Sequence, residues 1–247
     1  MKVLVCISQV PDTVTKIVLK DNNTAIDESG TTFILNPYDE WYALVRALEL
    51  KESGVAETVH LITVGRANTE PVIRKALALG GDEAVRIDAD SADPFTVATY
   101  IAAYAKDAGY DLILCGKESI DYHNGAVGPM LAELLDADFL GFATHIDIAG
   151  NTATVKREIE GGEETDSVSL PVVISCQKGV AEARIPNMRG IMAARTRPLK
   201  VVSPAETPAL TVIVSYELPV AKSGVKLVAA DNMDELVNLL HTEAKVI

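Results

Sequence analysis

Residues 57–87, ETVHLITVGRANTEPVIRKALALGGDEAVRI, decide the fold. The apolar, β-branched run ETVHLITVG at 57–65 predicts a buried strand. A helical pattern over 69–79 ends before Gly80-Gly81, and a second strand-like run, DEAVRI, follows. Strand, helix and strand in this order predict a βαβ unit, in which both strands lie parallel in one sheet.

The same alternation continues along the first half of the chain. KVLVCIS at 2–8 and YDLILCG at 110–116 predict two more core strands, and residues 38–53 and 95–108 show helical patterns. Asn36 is expected to cap the first of these helices, with Pro37 at its first position. We therefore predict an α/β fold with a doubly wound parallel sheet, Rossmann-like and of the adenine-nucleotide-binding kind.

After about residue 140 the pattern becomes one of short alternating runs. Glycine turns at Gly150-Asn151 and Gly161-Gly162 predict a small antiparallel extension, and PVVISC at 171–176 predicts one more core strand. This extension and the preceding strands form one expected domain, residues 1–203.

The last part of the chain, residues 204–247, is predicted to be an arm. It contains a strand-like run, LTVIVSYEL at 210–218, and a final helix from 231 to about 241. It has little apolar bulk for its length, so we expect it to complete its fold on another chain.

Composition narrows the class of protein. The chain has 247 residues, 48% of them hydrophobic and only 5% aromatic, as expected of a parallel sheet covered by helices. A net charge of −13 argues against nucleic acid as the partner. Cys6, Cys115 and Cys176 show no metal-ligand spacing, so we expect buried free thiols in a reducing compartment. No apolar run is long enough for a signal peptide or a membrane span, and we expect a soluble, cytoplasmic protein without direct membrane insertion.

The candidate ligand site lies at the carboxyl ends of the predicted strands, where doubly wound sheets bind ligands. The loop GKESIDYHNGAVGPMLAELL at 116–135 adds glycines and the start of a helix, which together suit a phosphate, although a plain strand-to-helix turn would look similar. Neither a GxGxxG fingerprint after the first strand nor a Walker A loop is present. The candidate residues are Cys6, Ile7, Ser8, Asn36, Tyr38, Val64, Gly65, Gly116, Asp121, Asn124, Gly125, Ala126, Val127 and Gly128.

Residues 183–200, ARIPNMRGIMAARTRPLK, form a segment that we call the hook. From Arg184 to Lys200 it holds five basic residues and no acidic one, although the chain as a whole is acidic. It also carries Ile185, Met188, Ile191 and Met192, so it combines positive charge with apolar side chains.

Several motifs together resemble the electron transfer flavoprotein β subunit. They are VPDT, LNPYDEWYALVRALELKE, RKALALGGDEAVRI, DLILCGKESIDYHNGAVGPMLAELL, VKREIEGGEE, LPVVISC and RGIMAARTRPLKVV, in this order along the chain. Asp166 departs from the family's pattern, which usually has an apolar residue at this position. This departure raises a question about the strand pairing in the predicted hairpin around Gly161-Gly162.

The resemblance implies a heterodimer. In this family an α subunit holds a redox-active FAD, the β subunit supplies a nucleotide-binding domain, and the C-terminal arm packs on the α subunit. Arg157 and Glu158, in KREIEGG, are implied to join an ion-pair network near that flavin, and Tyr38 occupies an aromatic position close to it. Thr13 stands where some relatives have a second aromatic residue.

The resemblance also gives the hook a role. It corresponds to a recognition loop that docks partner dehydrogenases through one apolar side chain, here Met188. A flexible thioether suits several partner pockets, and nearby arginines can steer the chain toward acidic surfaces. The docking residues are expected to be Met188, Arg184, Arg189, Ile191 and Arg195.

The nucleotide of the β subunit stays open at this point. Many relatives hold a structural AMP, whereas electron-bifurcating members hold a second FAD that accepts hydride from NADH. Ala126 and Val127 stand where AMP-bearing relatives commonly have hydroxyl or amide side chains that hold the phosphate, and VPDT and AVGP look more like the bifurcating members. The short chain and the absence of a Gly-Pro pair in VGRANTEP count against that second type. We favour AMP, with FAD as the alternative.

Three functions follow as hypotheses. The first is an electron carrier subunit, not an enzyme, that takes electrons from acyl-CoA-type dehydrogenases of fatty acid oxidation and delivers them to a quinone oxidoreductase. Electron transfer needs no acid, base or nucleophile from this chain. Consistently, the four histidines and the carboxylates form no catalytic or metal-binding pattern by spacing. The second is a bifurcating, NADH-oxidising subunit. The third is an adenine-nucleotide binder of the universal-stress type, whose glycine-spaced phosphate loop this sequence does not reproduce.

Overall fold

The structure is a computed structural model that describes residues 1–90, 93–221 and 224–247. Short apolar runs form the strands, because alternate side chains can be buried on the two faces of a covered sheet. The strands are β1 (Lys2–Cys6), β2 (Gln9–Pro11), β3 (Leu19–Lys20), β4 (Ala25–Ile26), β5 (Phe33–Leu35), β6 (Thr58–Val64), β7 (Glu83–Ile87), β8 (Leu112–Gly116), β9 (Asp138–Ala149), β10 (Thr152–Ile159), β11 (Gly162–Ser169), β12 (Val172–Cys176) and β13 (Leu199–Val202). The α-helices are α1 (Asp39–Glu52), α2 (Glu70–Leu79), α3 (Pro94–Ala105), α4 (Val127–Leu134), α5 (Met188–Ala194) and α6 (Met233–Leu239); a 3-10 turn covers Ala67–Thr69 and a π-helical turn Leu240–Ala244.

One large sheet organises the molecule, in the order β11-β10-β9-β12-β8-β1-β6-β7-β13. The strands from β9 to β13 in this order are parallel to their neighbours, and β10 and β11 extend the sheet antiparallel. From β1 the chain proceeds through β6 to β7 on one side and then returns to β8 on the other side of β1. The strand order therefore reverses between β1 and β8, which is the point where doubly wound sheets bind ligands.

Helices cover both faces of the sheet. On one face α1 and α2 pack with Ala43, Leu44 and Ile73 against Val5 and Leu61. On the other face α3 and α4 contribute residues such as Ile101 and Leu131, which pack around Leu4, Ile62 and Ile113. This two-sided core confirms the predicted Rossmann-like α/β class.

Most predicted elements are present with slightly shorter bounds. The strands expected at 2–8, 57–65, 82–87 and 110–116 are β1, β6, β7 and β8, and the helix expected at 95–108 is α3. The hairpin that Asp166 called into question is fully paired, with Asp166 opposite Val155.

The predicted cap of α1 is wrong. The helix begins at Asp39, its cap position is Tyr38, and no side chain caps it. Asn36 instead is fully buried and donates from Nδ2 to the carbonyl of Glu118, 2.9 Å away. The Asn36 side chain, which the local pattern predicts as the cap of α1, therefore makes a tertiary hydrogen bond instead.

The strand expected at 210–218 is also absent: residues 211–218 have no regular secondary structure. The arm is largely exposed, with Val212, Val214 and Val220 at 80%, 78% and 93% exposure. Its contacts with the rest of the chain include the amide of Tyr216, which donates to the carbonyl of Asn23 (2.7 Å), and Thr211, which donates to the Asp93 carboxylate from its amide (3.0 Å) and its hydroxyl (2.5 Å). The helix expected near 231–241 is α6 followed by the π-helical turn.

The large sheet ends in two different edge strands. The outer edge strand β11 has the sequence GEETDSVS and carries Glu163, Glu164 and Asp166. The opposite edge strand, β13, carries Lys200. Among the described residues, no helix combines the length and hydropathy required to cross a lipid bilayer.

Candidate functional site

The carboxyl ends of β6, β1 and β8 lie side by side, and we call this region the carboxyl edge. The Ile7 amide donates to the carbonyl of Ile62 at 2.9 Å, which extends the pairing of β1 with β6 beyond the strand itself. Gly65 likewise donates to Ile87 at 3.0 Å. The predicted residues Cys6, Ile7, Ser8, Val64, Gly65 and Gly116 thus come together at one edge.

Asn36 joins two parts of this edge. Its amide donates to the carbonyl of Ser8 at 3.2 Å, and its Nδ2 donates to Glu118 in the loop after β8. Its Oδ1 is buried and has no hydrogen-bond partner among the described residues. Because Asn36 is fully buried, its side chain holds the loops of this edge together and does not itself face an open site.

The glycine loop before α4 has two distinct glycines. Gly125 has φ of 57°, a left-handed conformation that favours glycine, and a Cβ there would approach only the Lys117 carbonyl, at 3.4 Å. Gly128 is needed for packing, because a Cβ would stand 2.9 Å from Cys115 Sγ and 3.1 Å from the Phe139 ring. The expectation of close ligand approach therefore suits Gly125, whereas Gly128 lets α4 lie tightly on the sheet.

The start of α4 suits an anion. Its first amides have no intrahelical acceptor, and they begin at Ala126 and Val127, directly after the exposed Asn124 and Gly125. Asp121 is also exposed, and its Oδ1 accepts from the Tyr122 amide at 3.0 Å. The accessible backbone of Asn124 to Val127 is therefore the part of this loop that could bind an anion.

Two acids at the start of α1, Asp39 and Glu40, were missed by sequence reasoning. Both are buried. Glu40 accepts from the Ser8 amide at 2.5 Å and from the Ser8 hydroxyl at 2.7 Å, and burial raises its pKa to about 7. A Cβ on Gly116 would stand 2.8 Å from Glu40 Cγ, so the glycine makes room for this carboxyl.

Asp39 shows the same effect of burial. Burial raises the pKa of its carboxyl, and the positive charge of Lys117 partly offsets this. The only sequence sign of this acidic pair is its position directly after Asn36-Pro37, where acids are ordinary in the first turn of a helix.

Two adjoining clefts open beside the acidic pair. One, of about 450 Å³, is lined by Thr13, Tyr38, Asp39 and Lys117 together with Glu118, Ile120 and His123. The other, of about 520 Å³, shares Asp39 and Lys117 and extends to Glu158 and the 177–179 turn. Tyr38 and Glu158, both expected near the flavin of the α subunit, therefore line neighbouring clefts, and the exposed Tyr38 ring is available to a partner.

Arg157 and Glu158 lie on opposite faces of β10, as neighbours along a strand do. Arg157 pairs across the hairpin with Glu164 at 2.5 Å and stands 3.6 Å from Asp166. Glu158 is exposed and faces the second cleft. Arg157 is therefore paired with acids of its own hairpin, and a network of Arg157 and Glu158 beside the flavin stays a prediction.

The three cysteines are free and buried, as predicted. Burial raises the pKa of all three thiols, that of Cys115 to about 12, so they remain protonated and unreactive. The described residues contain no cluster of histidine, cysteine and carboxylate side chains that could hold a metal ion.

The hook contains the short helix α5, which packs on α2. A Cβ on Gly190 would stand 2.2 Å from the carbonyl oxygen of Ala78, and Ala194 is buried. Asn187 caps the helix by accepting from the Gly190 amide at 2.8 Å. The packed side fixes which side chains face outward: Ile185, Met188 and Met192 are 90%, 73% and 67% exposed.

The basic residues of the hook divide into two groups. Arg184 makes a bidentate pair with Glu52 on α1, at 2.6 and 2.9 Å, and Arg197 donates to the Gly80 carbonyl at 2.9 Å. Arg189 and Arg195 are exposed and form no ion pair within the described part of the chain. Arg184 thus anchors the hook, and Arg189 and Arg195 are the arginines available to a partner.

Fold and site define a Rossmann-like α/β protein whose open clefts lie at the carboxyl ends of its strands. A family model described as "Electron transfer flavoprotein domain" matches residues 23–207. The chain is 38% identical to the electron transfer flavoprotein subunit beta of Syntrophomonas wolfei, over 92% of this chain and 90% of that protein. It is 37% identical to the subunit beta of Bacillus subtilis over the whole of both chains. The human subunit beta is 31% identical, over 94% of this chain and 95% of its own length.

The chain therefore belongs to the electron transfer flavoprotein β-subunit family. Electron transfer by a flavoprotein is the role of this family, and the resemblance inferred from the motifs is confirmed. The comparisons favour this family over the universal-stress alternative.

Proposed function

We propose that the chain is the β subunit of a heterodimer that carries electrons from acyl-CoA-type dehydrogenases to a quinone oxidoreductase. An α subunit holds the FAD, and the hook docks the dehydrogenase. The observation that carries the proposal is the hook itself: an apolar, partly basic tip fixed to a rigid core.

The hook has the properties of a docking element. Its backbone is held by α2 and by the Arg184–Glu52 pair, while Met188 projects into solvent. A rigid base lowers the entropic cost of binding, and one exposed thioether adapts to pockets of different shape. Arg189 and Arg195 add long-range attraction toward acidic partner surfaces.

The cleft side of the molecule serves the flavin. FAD, held mainly by the α subunit, accepts and releases the electrons when bound. Tyr38, Asp39, Lys117 and Glu158 of this chain would border it, orient it and limit its contact with water. No acid, base or nucleophile from this chain is needed for electron transfer.

The glycine loop would hold the second nucleotide, which we propose to be AMP. Amides at the start of α4 would take its phosphate, and Asn36 would fix the loop after β8 by donating to the Glu118 carbonyl. The replacement of polar side chains by Ala126 and Val127 leaves the phosphate to backbone donors.

Docking is tested by the substitution Met188→Ala. We expect folding and FAD content of the reconstituted heterodimer to be unchanged, while electron transfer from a short-chain acyl-CoA dehydrogenase reduced with butyryl-CoA falls about tenfold, as for loss of an interface anchor. Val18→Ala, at a half-exposed valine outside both the hook and the arm, is the control. Equal kinetics for wild type and Met188→Ala would contradict the docking role.

The nucleotide is tested separately by denaturing the purified heterodimer and identifying the released nucleotides by mass spectrometry. One AMP and one FAD per heterodimer would support the carrier. Two FAD and no AMP would overturn the AMP assignment and favour the bifurcating alternative, which an assay of NADH oxidation would then examine.

A further inference from the structure

The most exposed methionines of the chain are two neighbours on the hook. Met188 and Met192 are 73% and 67% exposed, whereas Met233 is 49% exposed and Met1 and Met130 are partly buried. They stand four positions apart on α5, so their side chains lie on the same face of the helix. We call them the methionine pair.

The packing of α5 fixes this orientation. Gly190 and Ala194 face α2, and each stands two positions after a member of the pair. Two positions correspond to about 200° around a helix, which directs the pair away from the protein core. The exposure of both thioethers is therefore built into the packing.

We propose that the methionine pair is a reversible oxidation site at which a hydroperoxide controls docking of the dehydrogenase. The thioether sulfur attacks the peroxide oxygen, the O–O bond breaks, and a sulfoxide and one water (or alcohol) molecule form. The sulfur loses two electrons, which the peroxide gains. Methionine sulfoxide reductases can reverse the change.

The cysteines of the chain are expected to react with peroxide more slowly than the methionine pair. The three cysteines are buried, and burial keeps their thiols protonated by raising each pKa, so they lack the thiolate that reacts. Oxidation is expected first where a sulfur atom meets solvent, which is the methionine pair.

The consequence rests on the proposed docking function. A sulfoxide is polar, so it resists burial in the apolar pocket that would receive Met188. Ile185 and Ile191 would keep part of the apolar surface, while its centre becomes polar. Oxidation should weaken docking without any change in the flavin or the fold.

The site is tested first on the reconstituted heterodimer treated with limiting hydrogen peroxide. Peptide mapping should show one added oxygen atom on each of Met188 and Met192 before Met1 and Met130, the methionines that lie outside both the hook and the arm. Oxidation of Met1 or Met130 ahead of the pair, or no oxidation of the pair, would overturn the site. This result does not depend on whether the hook docks anything.

The effect on docking is tested with the double variant Met188→Leu/Met192→Leu, which keeps apolar side chains without sulfur. Peroxide should lower electron transfer from the butyryl-CoA-reduced dehydrogenase about tenfold in the wild type, with no change in the double variant and with recovery after treatment by methionine sulfoxide reductases. Met130→Leu, at a partly buried methionine outside the hook and the arm, should behave like the wild type.

The outcomes separate this inference from the docking proposal. If Met188→Ala lowers electron transfer but the sulfoxides do not, only the oxidation control fails. If neither Met188→Ala nor oxidation changes the rate, the docking function fails together with its control. Equal peroxide losses in wild type and double variant would place the damage elsewhere and overturn the inference.

Discussion

At the scale of single residues, Glu40 is the group that the carboxyl edge depends on. Its two carboxyl oxygens accept from both donors of Ser8, and Gly116 provides the space for it. A glutamate in the first turn of a helix is common, so neither composition nor spacing distinguishes Glu40 from a solvated acid. Only the tertiary arrangement buries it, which explains why sequence reasoning predicted its neighbours Asn36 and Tyr38 but not Glu40.

The raised pKa of Glu40 predicts how stability depends on pH. Its folded pKa, about 7, lies above the ordinary value of 4.5, so its contribution to stability is full below pH 4.5 and is lost as the pH rises through 7. The loss amounts to about 3 kcal/mol, from the shift in pKa at roughly 1.4 kcal/mol per unit. Urea unfolding at several pH values between 5 and 8 measures how the free energy of unfolding depends on pH.

Glu40→Gln tests the assignment, because Gln can donate to the Ser8 hydroxyl and accept from the Ser8 amide as the protonated acid does. We expect the variant to lose less stability than the wild type between pH 5 and pH 8, with most of the difference arising between pH 5 and pH 7. Glu133→Gln, at an exposed glutamate on α4, should retain the wild-type slope. A Glu40→Gln slope identical to that of the wild type would show that another group titrates.

At the scale of elements, the sequence pattern correctly predicted those strands and helices whose formation depends on the residues of the segment itself. The apolar runs that became β1, β6, β7 and β8 are buried wherever they lie in a covered sheet, so their sequences suffice. LTVIVSYEL has the same pattern, but no strand edge accepts it, and the segment remains irregular. The cap of α1 failed for a related reason, since the Glu118 carbonyl, 82 residues away in sequence, binds Asn36.

The contact between α5 and α2 predicts an unusual response to alanine. Gly→Ala inside a helix normally stabilises by about 1 kcal/mol. At Gly190 the new Cβ would stand 2.2 Å from the Ala78 carbonyl oxygen, so we expect destabilisation by about 1–3 kcal/mol instead. Urea unfolding measures it, and Gly162→Ala, where no atom lies within 4 Å, is the control. A more stable Gly190→Ala protein would mean that α5 lies further from α2.

The tether between the arm and α3 predicts a local change. Thr211→Val removes the hydroxyl that donates to Asp93 and keeps the amide that also donates to it. We expect faster hydrogen exchange of the Thr211 and Tyr216 amides, which are hydrogen-bonded to the domain, by about fivefold for one hydrogen bond of about 1 kcal/mol, and unchanged exchange in the sheet. Thr207→Val on the same arm should exchange like the wild type, and equal exchange for Thr211→Val would rule out the tether.

At the scale of the whole molecule, charge is distributed unevenly. The chain carries a net charge of −13, yet its hook presents Arg189 and Arg195 without intramolecular ion pairs in the described structure. If these arginines steer the hook, electron transfer at low dehydrogenase concentration should slow down as ionic strength rises from about 20 to about 200 mM. Stopped-flow reduction of the heterodimer measures this dependence.

The double variant Arg189→Gln/Arg195→Gln should show a weaker dependence on salt. Lys16→Gln/Lys106→Gln removes the same charge from exposed positions outside the hook and should leave the dependence nearly intact. If both double variants flatten the salt dependence equally, net charge rather than the hook governs association.

The outer edge of the antiparallel extension affects how the chain behaves before it meets any partner. An open edge strand invites a second copy to add to the sheet, and β11 lies at such an edge. Glu163, Glu164 and Asp166 stand along it and pair with Lys156 and Arg157 of β10, so a second copy adding to this edge would have to desolvate or displace these charged groups. We therefore expect the charged edge to keep separate copies of the chain from joining sheet to sheet.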